Sequence, residues 1–132
     1  MSTNLIANAT NGNNRVVNGK KINTAEIVNQ AIERANASEL DLEAAEMTLK
    51  SKGWTAPTQA AIDMGFATET AEETIKNFAI QTAVLNEIEK LSGASASQQI
   101  GKWNFTNAQT IHDSFDAYLW KRVHGHRQNF AK

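Results

Sequence analysis

Apolar and polar side chains follow one another along this chain with the spacing of α-helices, and no run has a two-residue period strong enough to predict a sheet. The helical segments span, in chain order, residues 24–37, 41–53, 55–65, 70–91 and 106–125. The pattern predicts an all-α fold, a small orthogonal or bundle-like domain of four to five helices around one long central helix. The short link after the first helix predicts that the first two helices pack as an antiparallel hairpin.

The segment from Thr70 to Leu91 is the predicted central helix, because its apolar positions form an arc too broad for a helix on a surface. These positions are Ile75, Phe78, Ile80, Val84, Leu85, Ile88 and Leu91. Thr68 or Thr70 is the expected N-cap, and Thr70 has capping-box spacing with Glu73. Ser92 and Gly93 mark the predicted end of this helix.

Both ends of the chain differ in composition from the helical body. Residues 1–21 are rich in Asn, Gly and Thr, which predicts a flexible basic N-terminal arm. Within this arm, RVVNGKKI has the sequence of an isolated hairpin that turns at Asn18 and Gly19. Residues 22–125 form the predicted helical domain, and Gly125 is expected to end the final helix. Residues 126–132 form a basic C-terminal tail.

The length of 132 residues fits one domain with its own hydrophobic core. The chain has no Cys, which excludes disulfides and thiolate metal sites and favours a reducing, cytoplasmic setting. No apolar run reaches the roughly 18 residues of a membrane span, and the first residues lack the pattern of a secretory signal. We therefore expect no membrane partner.

The net charge of -1 conceals a separation of acidic from basic residues. All 14 Asp and Glu lie between Glu26 and Asp116, a span that holds only six of the 13 Lys and Arg. The remaining cations are Arg15, Lys20 and Lys21 in the N-terminal arm and Lys121, Arg122, Arg127 and Lys132 near the C-terminus. This layout predicts that the basic ends dock on nucleic acid, on an acidic partner or on the body of another copy, or else that they are solvated tails.

Residues 55–77 resemble the helix-turn-helix family of DNA-binding segments. Ala61 has the place of the small residue where two helices cross, and Gly65 follows four positions later at the turn. The resemblance implies that Lys76 and Asn77 contact DNA from the second helix. That helix, however, begins with three carboxylates, those of Glu69, Glu72 and Glu73. Because carboxylates repel phosphate, we interpret the segment first as an architectural corner and second as a DNA reader.

The final helix has Thr106 and Gln109 at capping-box spacing, and LWKRVHGHRQNF at its end interleaves cations with aromatic rings. Its predicted buried face contains Ala108, Ile111, Phe115, Tyr118, Leu119 and Val123. The candidate binding residues are Lys121, Arg122, His124 and Arg127, together with Arg15, Lys20 and Lys21 of the arm. The alternative interpretation is that Trp120 packs in the core while the cations complement the helix C-terminus.

The sequence shows no catalytic motif, and we expect neither enzyme activity nor a cofactor. One local cluster has residue types found in nucleophilic catalysis, namely His112, Asp113, Ser114 and Asp116. We interpret it as an exposed polar face of the final helix. His124 and His126 are two residues apart but lack a nearby acid to complete a metal site.

These observations favour a non-enzymatic helical interaction or assembly protein that associates with itself and docks through its basic ends on a partner or on nucleic acid. A second hypothesis is a small DNA-binding regulator that uses residues 55–77 or the basic C-terminus. A third is an acidic inhibitor of a nucleic-acid-binding protein, of the kind that phages and other mobile elements carry.

Overall fold

The computed structural model describes the backbone of residues 5–131 and the side chains of residues 5–124. In chain order the elements are β1 (Asn14–Val17), β2 (Lys20–Asn23), α1 (Thr24–Ala37), α2 (Leu42–Ser51), α3 (Gln59–Asp63), α4 (Ala71–Ser92) and α5 (Ala108–Ala131), with a single 3₁₀ turn at Ser97–Gln99. The prediction of a mostly helical domain is confirmed. The predicted hairpin is also present as a two-stranded sheet, so the all-α description is too narrow.

Helix α1 lies between α4 and α5 and packs against both. Its N-cap is Asn23, whose side chain accepts the Glu26 N–H at 3.0 Å. Val28, Ala31 and Ile32 are completely buried, and the short Ala side chain lets neighbouring elements approach closely. Helix α4 in turn packs between α1 and α2. The core is therefore built on the packed pair of α1 and α4, and not around α4 alone.

Helix α2 packs against α4 and not against α1, so the predicted antiparallel pairing of the first two helices is wrong. Asp41 caps α2 by accepting the Ala44 N–H at 2.9 Å. Ala45 is buried against the core, whereas Met47 is 66% exposed. The apolar face of α1 is already covered by α4 and α5, which leaves the exposed flank of α4 for α2.

Helix α3 begins at Gln59 and not at the predicted residue 55, because Thr58 caps it by accepting the Ala61 N–H at 3.1 Å. Its end is a Schellman motif, in which the Phe66 N–H binds the Ala61 carbonyl at 2.8 Å and the Gly65 N–H binds the Ile62 carbonyl at 3.1 Å. This motif needs a left-handed residue after the helix, and Gly65 has a φ of 80°. The Schellman motif at the end of α3 therefore explains why position 65 is a glycine.

The predicted start and end of α4 are confirmed. Thr70 accepts the Glu73 N–H at 3.1 Å while the Glu73 carboxylate accepts the Thr70 N–H at 3.0 Å, which is a complete capping box. Gly93 closes the helix in the left-handed conformation with a φ of 80°. The buried side chains of α4 are Ala79, Ile80, Val84, Leu85, Ile88 and Ser92.

Residues 5–13 lie against α1 and α5 as an extended strap, which corrects the expectation of a flexible arm for this part of the chain. Asn36 binds both backbone groups of Leu5, at 2.6 and 3.3 Å, and Asn29 binds both backbone groups of Ala9, each at 2.9 Å. Side-chain amides thus satisfy the backbone groups that a neighbouring strand would pair. A polar segment with little apolar surface is held in place by this hydrogen bonding.

The start of α5 is capped one residue later than predicted. Asn107 accepts the Thr110 N–H at 3.0 Å, and the Thr110 hydroxyl accepts the Asn107 N–H at 3.0 Å. Gln109, predicted to close a box with Thr106, instead accepts backbone N–H groups of the strap at 3.0 and 3.3 Å. The side chain of Gln109 therefore joins α5 to the strap.

Helix α5 continues through Gly125 to Ala131, so the predicted end at Gly125 is wrong. A glycine inside a helix costs about 1 kcal/mol relative to alanine, which weakens the helix without ending it. The predicted tail therefore continues the helix as far as Ala131, and the last residue lies outside the described part. None of the helices in residues 5–131 combines the length and hydropathy needed to cross a membrane.

Candidate functional site

A groove separates β1 from the second half of α5, and we call it the basic groove. It has a volume of about 300 Å³ and is lined by Arg15, Val16, Val17 and Asn18 on one side and by Leu119, Trp120, Arg122, Val123 and His124 on the other. Three apolar side chains along it are exposed to solvent, Val16 by 63%, Trp120 by 43% and Val123 by 58%. Grouped exposed apolar residues of this kind mark interaction surfaces.

The salt bridge of Arg15 holds β1 against α5. Its Nε and Nη2 atoms bind the two carboxylate oxygens of Asp116 at 2.9 and 3.0 Å, and the Asn13 side chain donates to the same carboxylate at 2.9 Å. The hydrogen bond from Arg15 lowers the pKa of Asp116 below its ordinary value of 3.8. The same bond raises the pKa of Arg15. The Arg15 guanidinium is thus already engaged within the fold.

The turn of the hairpin is tied to the end of α4. The Asn18 amide donates to the Gly93 carbonyl at 2.9 Å, and Lys20 Nζ donates to the Leu91 carbonyl at 3.1 Å. The last carbonyls of a helix have no partner inside it and carry partial negative charge, which suits a lysine. Lys20, a predicted binding residue, therefore positions the hairpin.

The opposite wall of the basic groove is built from the exposed face of α5. The rings of Trp120 and His124 lie against each other with centroids 4.5 Å apart and an interplanar angle of 33°. Arg122 Cζ lies 5.7 Å from the ring centroid of Tyr118, a cation–π contact. Trp120 does not pack in the core, and Val123 does not belong to the buried face predicted for it.

Of the remaining predicted cations, Lys21 and Lys121 are among the described side chains, and neither lines this groove. Lys121 is exposed on α5 and Lys21 is exposed on β2. The ion pairs formed by the described side chains include neither of these residues nor Arg122. The side chain of Arg127, the other predicted binding residue, lies outside the described part of the chain.

The residues of the helix-turn-helix resemblance are engaged elsewhere. Helix α3 has no buried residue, and Ala61 is only half-buried, unlike a residue at a close helix crossing. Lys76 Nζ lies 2.8 Å from a carboxylate oxygen of Glu72, and the Asn77 amide donates to Glu69 at 2.8 Å. Both predicted DNA contacts thus bind carboxylates at the start of α4.

The cluster around His112 differs from the exposed polar face that we predicted, because His112 itself is buried. Its Nε2 lies 2.7 Å from the Thr24 hydroxyl, and its Nδ1 lies 3.0 Å from Asp113 Oδ1. The Thr24 oxygen accepts the Asn13 N–H at 2.8 Å. In this network the Thr24 hydroxyl donates to Nε2 of His112. The ring N–H of His112 is then on Nδ1 and donates to Asp113. Thr24 is completely buried, so the threonine–histidine–aspartate series stabilises the fold.

A larger groove of about 470 Å³ lies between α2 and α4. Two of its polar groups are already used by their own helices, since Asp41 caps α2 and the Thr82 hydroxyl donates to the Phe78 carbonyl at 2.9 Å. The basic groove instead combines exposed cations with exposed apolar residues, and we therefore favour it as the functional site. Among the side chains of residues 5–124, no group of three His, Asp or Glu is placed to hold a metal ion.

Comparison with protein-family models, with curated proteins and with solved structures gives no match to this chain. Function is therefore inferred from the residues of the basic groove themselves. The fold brings three of the predicted binding residues to this groove, Arg15, Arg122 and His124. Lys121 is exposed on α5 but does not line the groove.

The apolar residues of the basic groove were not among the predicted site residues. Val16 and Val17 are adjacent in a strand, so a hairpin that lies on a core must bury one and expose the other. Trp120 and Val123 are three residues apart and share one face of α5. This spacing was the available signal, but it does not tell whether that face is covered by another part of the chain.

Proposed function

We propose that this chain is a non-enzymatic interaction protein that binds acidic protein surfaces through the basic groove. The observation that carries the proposal is that one groove is lined by exposed Val16, Trp120 and Val123 together with exposed Arg122. Apolar contact supplies binding free energy of about 25 cal/mol per Å² buried, and cations select an acidic partner. Trp and Arg are also the residue types that dominate binding energy at interfaces.

The burial of His112 and of its hydrogen-bond partner Thr24 supports a non-enzymatic role. A nucleophile must reach its substrate, and the Thr24 hydroxyl has no exposed surface and already makes two hydrogen bonds. The polar groups of this cluster are paired with one another and with the strap. The hydrogen bonds of these residues are therefore explained by their contribution to the stability of the fold, without a catalytic role.

The chain has a groove of its own that is lined by three glutamates, of which Glu46 and Glu72 are paired with Lys50 and Lys76. This groove makes a second copy the first partner to test. The groove is open, has a volume of about 430 Å³ and is lined by Leu42, Glu43 and Glu46 of α2 and by Glu72 and Ile75 of α4, and we call it the acidic groove. Leu42 is 38% exposed there. If each contact joins the basic groove of one copy to the acidic groove of the next, the copies are arranged head to tail.

Light scattering over a range of concentrations tests this self-association. The wild-type chain should give a mass above 14.5 kDa as concentration rises. Arg122→Glu and Glu43→Lys should each remain monomeric, and an equal mixture of the two should recover a dimer, because one intact groove of each kind is left. Lys102→Glu is the matched control, with the same charge change at an exposed residue that lines neither groove.

A mixture that stays monomeric while the wild-type chain associates contradicts head-to-tail docking. A wild-type chain that is monomeric at every concentration removes self-association and leaves an acidic partner of different sequence. Loss of association in Lys102→Glu to the same extent as in Arg122→Glu shows a general charge effect and contradicts a role for the groove.

Single-stranded nucleic acid is the second candidate ligand. The ring pair of Trp120 and His124 lies beside Lys121 and Arg122, and aromatic rings with cations bind unpaired bases and phosphates. Under this alternative, affinity for an oligothymidylate falls steeply with salt and Trp120→Ala weakens it, while Glu43→Lys has no weakening effect. Salt-insensitive or absent binding removes this candidate.

A further inference from the structure

The basic groove runs along the free edge of β1. The hairpin turn at residues 18–19 has φ values of 51° and 81°, both positive, as in a two-residue type I′ turn. Val17 pairs with Lys20 next to the turn, and Val16 pairs with Lys21. In such a hairpin the pair beside the turn exchanges hydrogen bonds and the next pair does not. The N–H and C=O of Val16 therefore point away from β2.

Val16 lines the basic groove, and its N–H and C=O point away from β2. Four consecutive residues of β1 and its turn line the groove together with α5, and no residue of β2 does. Within residues 5–131, the backbone hydrogen bonds of β1 go to β2. A donor and an acceptor of the main chain are thus open beside exposed Trp120 and Val123.

An open strand edge, exposed apolar side chains and exposed cations together specify the chemistry of an occupant. An extended peptide that adds to a strand edge is held by main-chain hydrogen bonds, and its side chains alternate between two faces. Apolar side chains of such a segment suit Val16, Trp120 and Val123, and carboxylates suit Lys121 and Arg122. A segment that alternates apolar with acidic residues meets both requirements.

We propose that the partner enters the basic groove as an extended segment, alternating acidic and apolar residues, which adds to β1 as a third strand. The inference rests on the proposed function of the groove and adds the conformation and sequence pattern of what binds there. Strand addition differs from docking on the acidic groove of a second copy. Docking on that helical groove needs the side chains of the basic groove but not the backbone of Val16.

The test uses the full chain and a synthetic peptide of about eight residues, a usual strand length, in which Val and Glu alternate. Val16→Pro removes the N–H that points away from β2 and leaves pairing with β2 intact, since an edge strand tolerates proline on its open side. Lys21→Pro is the matched control, because it removes the corresponding N–H at the opposite edge of the hairpin. Val16→Thr keeps the N–H and the branched shape.

Strand addition predicts that Val16→Pro weakens peptide binding by about tenfold, as expected for loss of one hydrogen bond and displacement of its neighbours. Lys21→Pro and Val16→Thr should bind within about twofold of the wild-type chain. A peptide of the same composition with its Glu and Val in two blocks should bind less tightly. If Val16→Pro does not fold, N-methylation of Val16 removes the same N–H and replaces it in the comparison.

Equal binding of the block and alternating peptides, or equal affinities of Val16→Pro and Lys21→Pro, overturns strand addition. If Arg122→Glu still abolishes peptide binding in that case, the groove remains an acidic docking site and only the inference about the strand fails. If the wild-type chain binds neither peptide, strand addition is excluded. If Arg122→Glu also leaves self-association unchanged, the proposed function fails with it.

Discussion

The two halves of α5 carry similar mixtures of apolar and polar side chains and use them in opposite ways. In the first half, Ile111 and Phe115 are completely buried, and buried His112 is hydrogen-bonded to Thr24. In the second half, Trp120 is 43% exposed and Val123 is 58% exposed. The first half therefore belongs to the core, while residues 120–123 at the start of the second half present a surface.

One stripe of residues along α5 shows where the helix changes from buried to exposed. Positions 109, 112, 116, 120 and 123 are three or four residues apart and follow one face of the helix. Gln109 binds the strap, His112 binds Thr24 and Asp116 binds Arg15. Beyond Asp116 the stripe continues with Trp120 and Val123 lining the basic groove. The polar bonds of the fold end where the exposed apolar surface begins, which is the reason to seek an external partner there.

The largest effect on stability is expected in the first half of α5. Phe115→Ala should lower the free energy of unfolding by about 3–5 kcal/mol, because it removes a fully buried ring from the core. Trp120→Ala should change it by less than about 1 kcal/mol, since that ring is partly in solvent. Urea unfolding of the two variants measures both values. Equal losses of unfolding free energy would contradict the difference between the two halves of α5.

The buried hydroxyl of Thr24 comes next. Thr24→Val should cost about 1–3 kcal/mol, because it leaves the Asn13 N–H and the His112 ring without their partner while preserving the shape of the side chain. Thr24→Ser keeps the hydroxyl and should cost less than Thr24→Val. Urea unfolding checks the order, and a Val variant as stable as the wild-type chain would show that the network contributes nothing.

The Arg15–Asp116 pair should contribute about 1 kcal/mol, since both side chains are partly in solvent. The folded pKa of Asp116 is lowered, so its contribution is fully present above the ordinary value of 3.8 and is lost as pH falls through the lowered value. The stability difference between the wild-type chain and Asp116→Asn should therefore be constant at neutral pH and shrink in acid. A difference that persists unchanged at low pH would contradict this role.

The smallest effect on stability is expected in the second half of α5, together with the largest effect on binding. Val123→Thr should change the free energy of unfolding by less than about 0.5 kcal/mol. Trp120→Ala should weaken binding of the alternating peptide by tenfold or more, as for an interface residue worth about 2 kcal/mol. Calorimetric titration measures the affinities, and unchanged binding in both variants would remove α5 from the docking surface.

Elements could be predicted where the residues that determine them lie close together in the sequence. The cap of α1 at Asn23, the capping box of Thr70 and Glu73, and the hairpin turn at residues 18–19 each depend on residues within a few positions of one another. Thr106 and Gln109 show the limit of that approach. Their spacing fits a box, but Asn107 and Thr110 form it, and Gln109 is recruited by the strap.

The strap and the basic groove depend on contacts far apart in sequence. Asn29 and Asn36 bind residues 20 and 31 positions away, and Arg15 binds Asp116 across 101 positions. No local pattern distinguishes an Asn that holds a strap from an Asn on a solvated helix. Composition made Arg122 and His124 candidate binding residues, but it could not show that Lys20 and Arg15 are engaged within the fold.

Amide NMR during titration of the full chain with the alternating Val and Glu peptide tests most directly whether the second half of α5 and β1 form the docking surface. If β1 and the second half of α5 form the docking surface, chemical-shift changes should concentrate at residues 15–18 and 119–124, with the change at the Val16 amide among the largest. Changes concentrated at residues 42–46 and 72–75, or spread evenly over the chain, would contradict this prediction.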